Sequence, residues 1–158
     1  MQKFSLQAIA AAALVLASSS GFAAVDSGSI TVSASVAAVC KLTLSGDMAF
    51  GALSATATAD PTPIDVTATV KCTNGTNVAS VTVGGVTSGS ITPSMTAVLP
   101  AIGSLGYKVT WTDPGAFSGA GMGTVAKTFV IRGEIPFANI QAATPASYLG
   151  AVPVVVNY

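Results

Sequence analysis

SITVSASVAAVCKLTL, residues 29–44, holds a single alternation without a break. Ile30, Val32, Ala34 and Val36 fall on one face and Ser29, Thr31, Ser33 and Ser35 on the other, the period-two pattern of a half-buried strand. The same phase runs on through Ala38, Cys40, Leu42 and Leu44, with no Gly, Pro, Asn or Asp to turn the chain. Fully extended, Ile30 to Leu44 would span roughly 50 Å, well beyond the usual strand of about five or six residues. One small domain has no use for a strand of that length, which raises the question of whose sheet its first half joins.

The residues before this run set the compartment. Lys3 is followed by an almost continuously apolar Leu6–Ala17 and by the small residues of Ser18–Ala23, so residues 1–23 read as a secretory signal peptide. Cleavage after Ala23 puts Gly21 and Ala23 at the small-residue positions. The apolar run falls short of the about 20 residues needed to cross a bilayer, and no later segment is longer, so an exported chain without membrane insertion is expected. The 135 residues that remain of 158 suit one domain. They carry five cations against six anions, a balance that points to neither nucleic acid nor an anionic membrane as partner. Charged residues make up 8% of the sequence, against roughly 25% in an ordinary soluble domain, so much of the surface is expected to be covered by something else.

Two cysteines, Cys40 and Cys72, in an oxidising compartment make one disulfide the default reading, with two free or metal-binding thiols as the alternative. A metal site would need further ligands, and the sequence has no His. A bridge would contribute about 3–4 kcal/mol in the chain-entropy description.

Past Leu44 the chain offers short β-like runs between turn signals, the spacing of an all-β sandwich or barrel. Ile64, Val66, Ala68, Val70 and Cys72 alternate with Asp65, Thr67, Thr69 and Lys71. Val81 and Val83 precede Gly84-Gly85. Leu105, Tyr107, Val109 and Trp111 share a face, read as core, before an Asp113-Pro114-Gly115 turn. Phe129 and Ile131 continue the pattern, with Val125 as a further inward candidate, and Val152, Val154, Val156 and Tyr158 form the last strand. No helix with caps is expected past residue 24. Asn74-Gly75 reads as a turn rather than a glycosylation site, and Gly119, Gly121 and Gly123 as a flexible hairpin tip rather than a phosphate loop.

Acid–base or nucleophilic catalysis usually recruits His or paired carboxylates. Here the acids Asp26, Asp47, Asp60, Asp65, Asp113 and Glu134 are scattered, and Lys108 and Lys127 read as solvated strand-face residues rather than bases for a serine. No enzyme, cofactor or metal is expected.

Several pieces in order resemble one family, the subunits of archaic chaperone-usher pili that carry the spore coat U domain. They are the apolar strand leading to VCKLTL at Val39–Leu44, FG at Phe50-Gly51, VKC at Val70–Cys72, LGYKVTWTD at Leu105–Asp113, GEIP at Gly133–Pro136, and Tyr148 followed by a terminal VPVVVNY. The resemblance implies an incomplete immunoglobulin-like β-sandwich, lacking its final strand and completed by donor-strand exchange. Ile30, Val32, Ala34 and Val36 would be the donor side chains. Val152, Val154, Val156 and Tyr158 would line the acceptor groove and contact the chaperone, with Pro153 removing one ladder donor from that strand. Cys40 and Cys72 match the family's disulfide.

The long alternation then has two jobs. On that resemblance residues 24–36 would be a donor extension for a neighbouring molecule and 37–158 the pilin domain, whose own sheet is expected to begin within Ala38–Leu44. The expected protein is a structural, major pilus subunit that joins identical subunits head to tail at the cell surface. A periplasmic chaperone and an outer-membrane usher would assist assembly, and surface attachment and biofilm formation would follow. The alternative is a self-complete exported β-sandwich that binds a ligand or carbohydrate, with residues 29–36 folded back as its own edge strand.

Overall fold

Alternating burial organises the chain as a computed structural model describes it, over residues 27–158; the signal-peptide reading of residues 1–23 lies outside the described residues. In chain order the strands are β1 (Cys40–Leu44), β2 (Ile64–Cys72), β3 (Asn77–Val78), β4 (Ser80–Val83), β5 (Gly89–Ile91) and β6 (Ser94–Ala97). There follow β7 (Ser104–Gly106), β8 (Lys108–Trp111), β9 (Phe117–Ser118), β10 (Lys127–Glu134), the helix α1 (Phe137–Ala142), β11 (Tyr148–Leu149) and β12 (Val154–Asn157). A five-stranded antiparallel sheet runs β1-β2-β10-β8-β5. Beside it are a three-stranded sheet, β11-β6-β7, and the pairs β12-β4 and β3-β9. The fold is all-β and sandwich-like.

The core lies between the inner face of the five-stranded sheet and the shorter strands. Ala68, Val70, Cys72, Phe129, Ile131, Val109 and Trp111 from the former meet Val78, Val81, Val83 and Leu105 from the latter. Strands β2 and β10 fit this role because every second residue is apolar, so one face can be dry while Thr and Lys keep the other wet. On the wet face Arg132 stands opposite Asp65 and grips its carboxylate with two bonds of 2.7 and 2.8 Å, which holds the Asp65 carboxyl below its ordinary value. Trp111 is buried as expected, and its indole N–H donates to the Thr87 carbonyl at 3.1 Å.

Cys40 and Cys72 are bonded, and they face each other as the first pair of the β1–β2 ladder. The Thr73 N–H donates to the Val39 carbonyl just outside that pair, so Cys40 and Cys72 form a non-hydrogen-bonded pair, the kind that brings side chains closest.

The fifteen-residue alternation yields a strand over Cys40–Leu44, within the Ala38–Leu44 stretch expected to begin the chain's own sheet, because there β2 supplies a ladder partner; residues 27–39 form neither strand nor helix. Three expectations need correction. A helix does exist. Six residues are too few to show a period, and α1 is fixed instead by tertiary contacts: the Asp60 carboxylate accepts the Phe137 N–H at 2.7 Å, the Asn139 amide donates to the Gly106 carbonyl, and Ile140 is buried. Gly119 is no flexible tip, since it is buried against Cys72 and Thr73, with its N–H on the Thr76 carbonyl and its carbonyl accepting from Gly75. Val125, at the open end of its run, is exposed. The Asn74-Gly75 and Asp113–Gly115 turns form as read, the second with the Asp113 carboxylate accepting the Gly115 N–H at 3.0 Å.

Candidate strand-acceptor groove

Strand β12 has β4 on one edge and no strand on the other among the described residues. The carbonyls of Pro153 and Asn157 accept from Gly84 and Ala79, both at 2.8 Å, and Val155 stands opposite Thr82. Peptide orientation alternates along a strand, so the N–H and C=O groups of Val154 and Val156 point to the open edge. The side chains of the same two residues pack against the core, while Val155 is exposed. Pro153 therefore lacks its N–H on the β4 side. The open edge loses nothing.

The far edge of the five-stranded sheet repeats this arrangement. Val39 and Ser45 bond to the β2 side, which leaves the peptide groups of Cys40, Leu42 and Leu44 on the edge of β1 that has no strand beside it among the described residues. Cys40 and Leu42 also pack against the core. Each of these edges thus offers unpaired backbone beside inward apolar side chains, a template for a further strand.

A groove of about 1320 Å³ opens into the core here, larger than the roughly 300–1,000 Å³ of small-molecule pockets. One wall is the end of β1 at Leu44 with segment 46–55, and the other is segment 143–152, which leads into β12. Val66, Leu105, Tyr107, Ile131 and Ile140 line it from the core. Segment 46–55 is seated by side chains: Met48 fills the space that Gly133 leaves by having no side chain, and the Phe50 ring meets the edge of Tyr107 at 6.3 Å. Burial pushes the Tyr107 hydroxyl up from its ordinary value. On the other wall the Tyr148 hydroxyl donates to the Thr144 carbonyl, and the Thr144 hydroxyl donates to the Ile102 carbonyl at 3.1 Å, which pins the loop before β11.

The sequence profile of the Spore Coat Protein U domain matches residues 26–155. The chain belongs to the Spore Coat Protein U domain family. This family is associated with chaperone-usher pili, and it is a structural family of exported, pilus-type subunits. No curated protein and no solved structure gives a significant match.

Within this family member the residues named from sequence sit as follows. Val152 lines the groove, Val154 and Val156 pack on the core beside the open edge, and Tyr158 lies past the strand end, 58% exposed. Ile30, Val32 and Val36 are 90%, 88% and 85% exposed. The chemistry of the site is apolar burial and backbone pairing; among the described residues no three His, Cys, Asp or Glu side chains gather as metal ligands, and no helix is long and apolar enough to cross a membrane. Sequence reasoning missed Met48 and Leu53 and met Phe50 only through the Phe50-Gly51 resemblance, because all three lie in a stretch without strand alternation. Their signal was three large apolar residues in a segment otherwise small and polar, together with the inward-phase Gly133 that makes room for one of them.

Proposed function

We propose that this chain is a structural pilus subunit that polymerises by donating its N-terminal arm, residues 24–36, to the groove of the next copy. The observation that carries this reading is the exposure of Ile30, Val32 and Val36 on a segment that forms no strand. Each would gain about 1.5–3 kcal/mol by burial, so an arm this apolar needs a sheet. The open edges of β12 and β1 and the groove next to them have the matching need. Strand addition satisfies both, with main-chain bonds giving affinity and alternate side chains giving fit. Donation head to tail builds an open filament rather than a closed ring, which suits attachment to surfaces and the building of a biofilm. A periplasmic chaperone would cover the groove before assembly, and an outer-membrane usher would receive the subunit. Residues 29–36 form no edge strand of their own, so the self-complete sandwich has no support from this segment.

The test compares the chain from Ala24 with one starting at Ala37. The longer chain is expected to form fibres. The shorter should stay unpolymerised and gain stability when a synthetic peptide of residues 29–36 is added. Val32→Asp in the full chain is expected to abolish fibres while leaving the sandwich folded. A stable monomer of the full chain, with the same melting temperature as the truncated one, would overturn the reading.

A further inference from the structure

Between the arm and β1 lie Ala37, Ala38 and Val39, three exposed residues without secondary structure. One side chain nevertheless holds them. The Thr73 hydroxyl accepts the Val39 N–H at 2.8 Å and lies 3.1 Å from the Val39 carbonyl and 3.3 Å from the Ala37 carbonyl. It is also 3.0 Å from the hydroxyl of Thr76, a buried polar residue. A hydroxyl has one proton and two lone pairs. With Val39 N–H and Thr76 O–H donating to it and its own proton on a carbonyl of the 37–39 segment, Thr73 uses its whole capacity at this point.

The platform presenting Thr73 is itself fixed. The Thr76 N–H closes a turn on the Thr73 carbonyl at 3.0 Å, and Gly75 and Gly119 exchange bonds with the neighbouring segment. Gly121 donates to the Cys72 carbonyl at 3.0 Å, and Cys72 is tied to Cys40. The main-chain bond from Thr73 N–H to Val39 C=O would hold only the second half of Val39 if the hydroxyl were absent.

We propose that Thr73 is a positioning residue: its hydroxyl clamps the base of the arm and so sets the stiffness of the joint between consecutive subunits. With the clamp closed, the donor residue Val36 is followed at once by a held residue, and no slack separates one sandwich from the next. With it open, the chain is free up to Val39, which adds up to roughly 10 Å of loose tether. This consequence for the fibre rests on the donor-strand reading; the clamp itself does not.

Amide hydrogen exchange on the chain from Ala24, in whatever oligomeric state it adopts, tests the clamp directly. In Thr73→Val, which keeps the shape and loses the oxygen, the Val39 amide is expected to exchange faster by about tenfold or more, while the Lys41 and Thr43 amides, which face β2, keep their protection. Thr73→Ser should restore Val39. An unchanged Val39 in the valine variant, an equal acceleration of all three amides, or a serine variant that fails to restore Val39 would each overturn the clamp. The joint is read separately, as the persistence length of fibres in electron micrographs, expected to fall in Thr73→Val with fibre formation retained. Val39 set free with no change in persistence length would overturn the role in the joint. Absence of fibres from the parent chain would overturn the donor-strand reading and with it the joint, while the exchange pattern would still decide the clamp.

Discussion

A methyl group at residue 119 has nowhere to go. Built on the backbone, it overlaps the Thr73 carbonyl oxygen and comes within 2.8 Å of the Cys72 Cβ, both parts of the bonded platform beneath the disulfide. Gly119→Ala should therefore force the β2 end and the disulfide apart at a destabilisation of about 1–3 kcal/mol or more. Gly123→Ala, in the same glycine-rich stretch but with open space around it, should stay within about 0.5 kcal/mol of the parent. Urea denaturation of the two variants decides between them, and equal effects would refute the close packing. Three glycines at alternate positions look alike in sequence. What separates Gly119 from Gly123 is a contact with residues distant along the chain, which no local pattern encodes. Val154 and Pro153 teach a related lesson: the period-two pattern shows that the valines share a face, but only the pairing with β4 shows that the proline spends its missing donor on the paired side.

Strands β2, β8 and β10 were readable because each is dry on one face and wet on the other, so burial forces the alternation. The first half of residues 29–44, the proposed donor, shows the same alternation and forms no strand, because a strand is made by a partner and not by a pattern. Segment 46–55, of which only Phe50-Gly51 stood out by resemblance, has no period to read for the opposite reason: it covers the core through Met48, Phe50 and Leu53 without regular structure. Its seat on β10 has a measurable consequence. A methyl group at Gly133 overlaps the Met48 sulfur, so Gly133→Ala should expel that side chain and lose about 1–3 kcal/mol. Once Met48→Ala has emptied the seat, Gly133→Ala should cost much less. A double-mutant cycle by urea denaturation is thus expected to show coupling, whereas simple additivity would mean that the segment does not rest on β10.

Taken whole, the described chain has an apolar arm without a strand, a sandwich-like body with an open edge, and few charges to keep copies apart. Those properties make the order of connection decisive. On the proposed head-to-tail reading, an arm that serves the next molecule leaves every free subunit with one donor and one acceptor unsatisfied, so growth has no natural end. Attaching a copy of residues 29–36 after Tyr158 through a flexible Gly/Ser linker, with the natural arm removed, would put donor and acceptor in one chain. The effective concentration of the tethered strand then reaches the millimolar range, far above that of any second molecule in dilute solution. The expected product is a monomer that forms no fibres and melts higher than the armless chain, each net kcal/mol of stabilisation appearing as roughly 2–8 °C. Carrying Val32→Asp into the tethered copy should remove the gain, because a carboxylate would be buried where Val32 was to sit. Size-exclusion chromatography and thermal melting read both outcomes. If the tethered chain melts with the armless one, the groove does not take this arm and the head-to-tail reading falls.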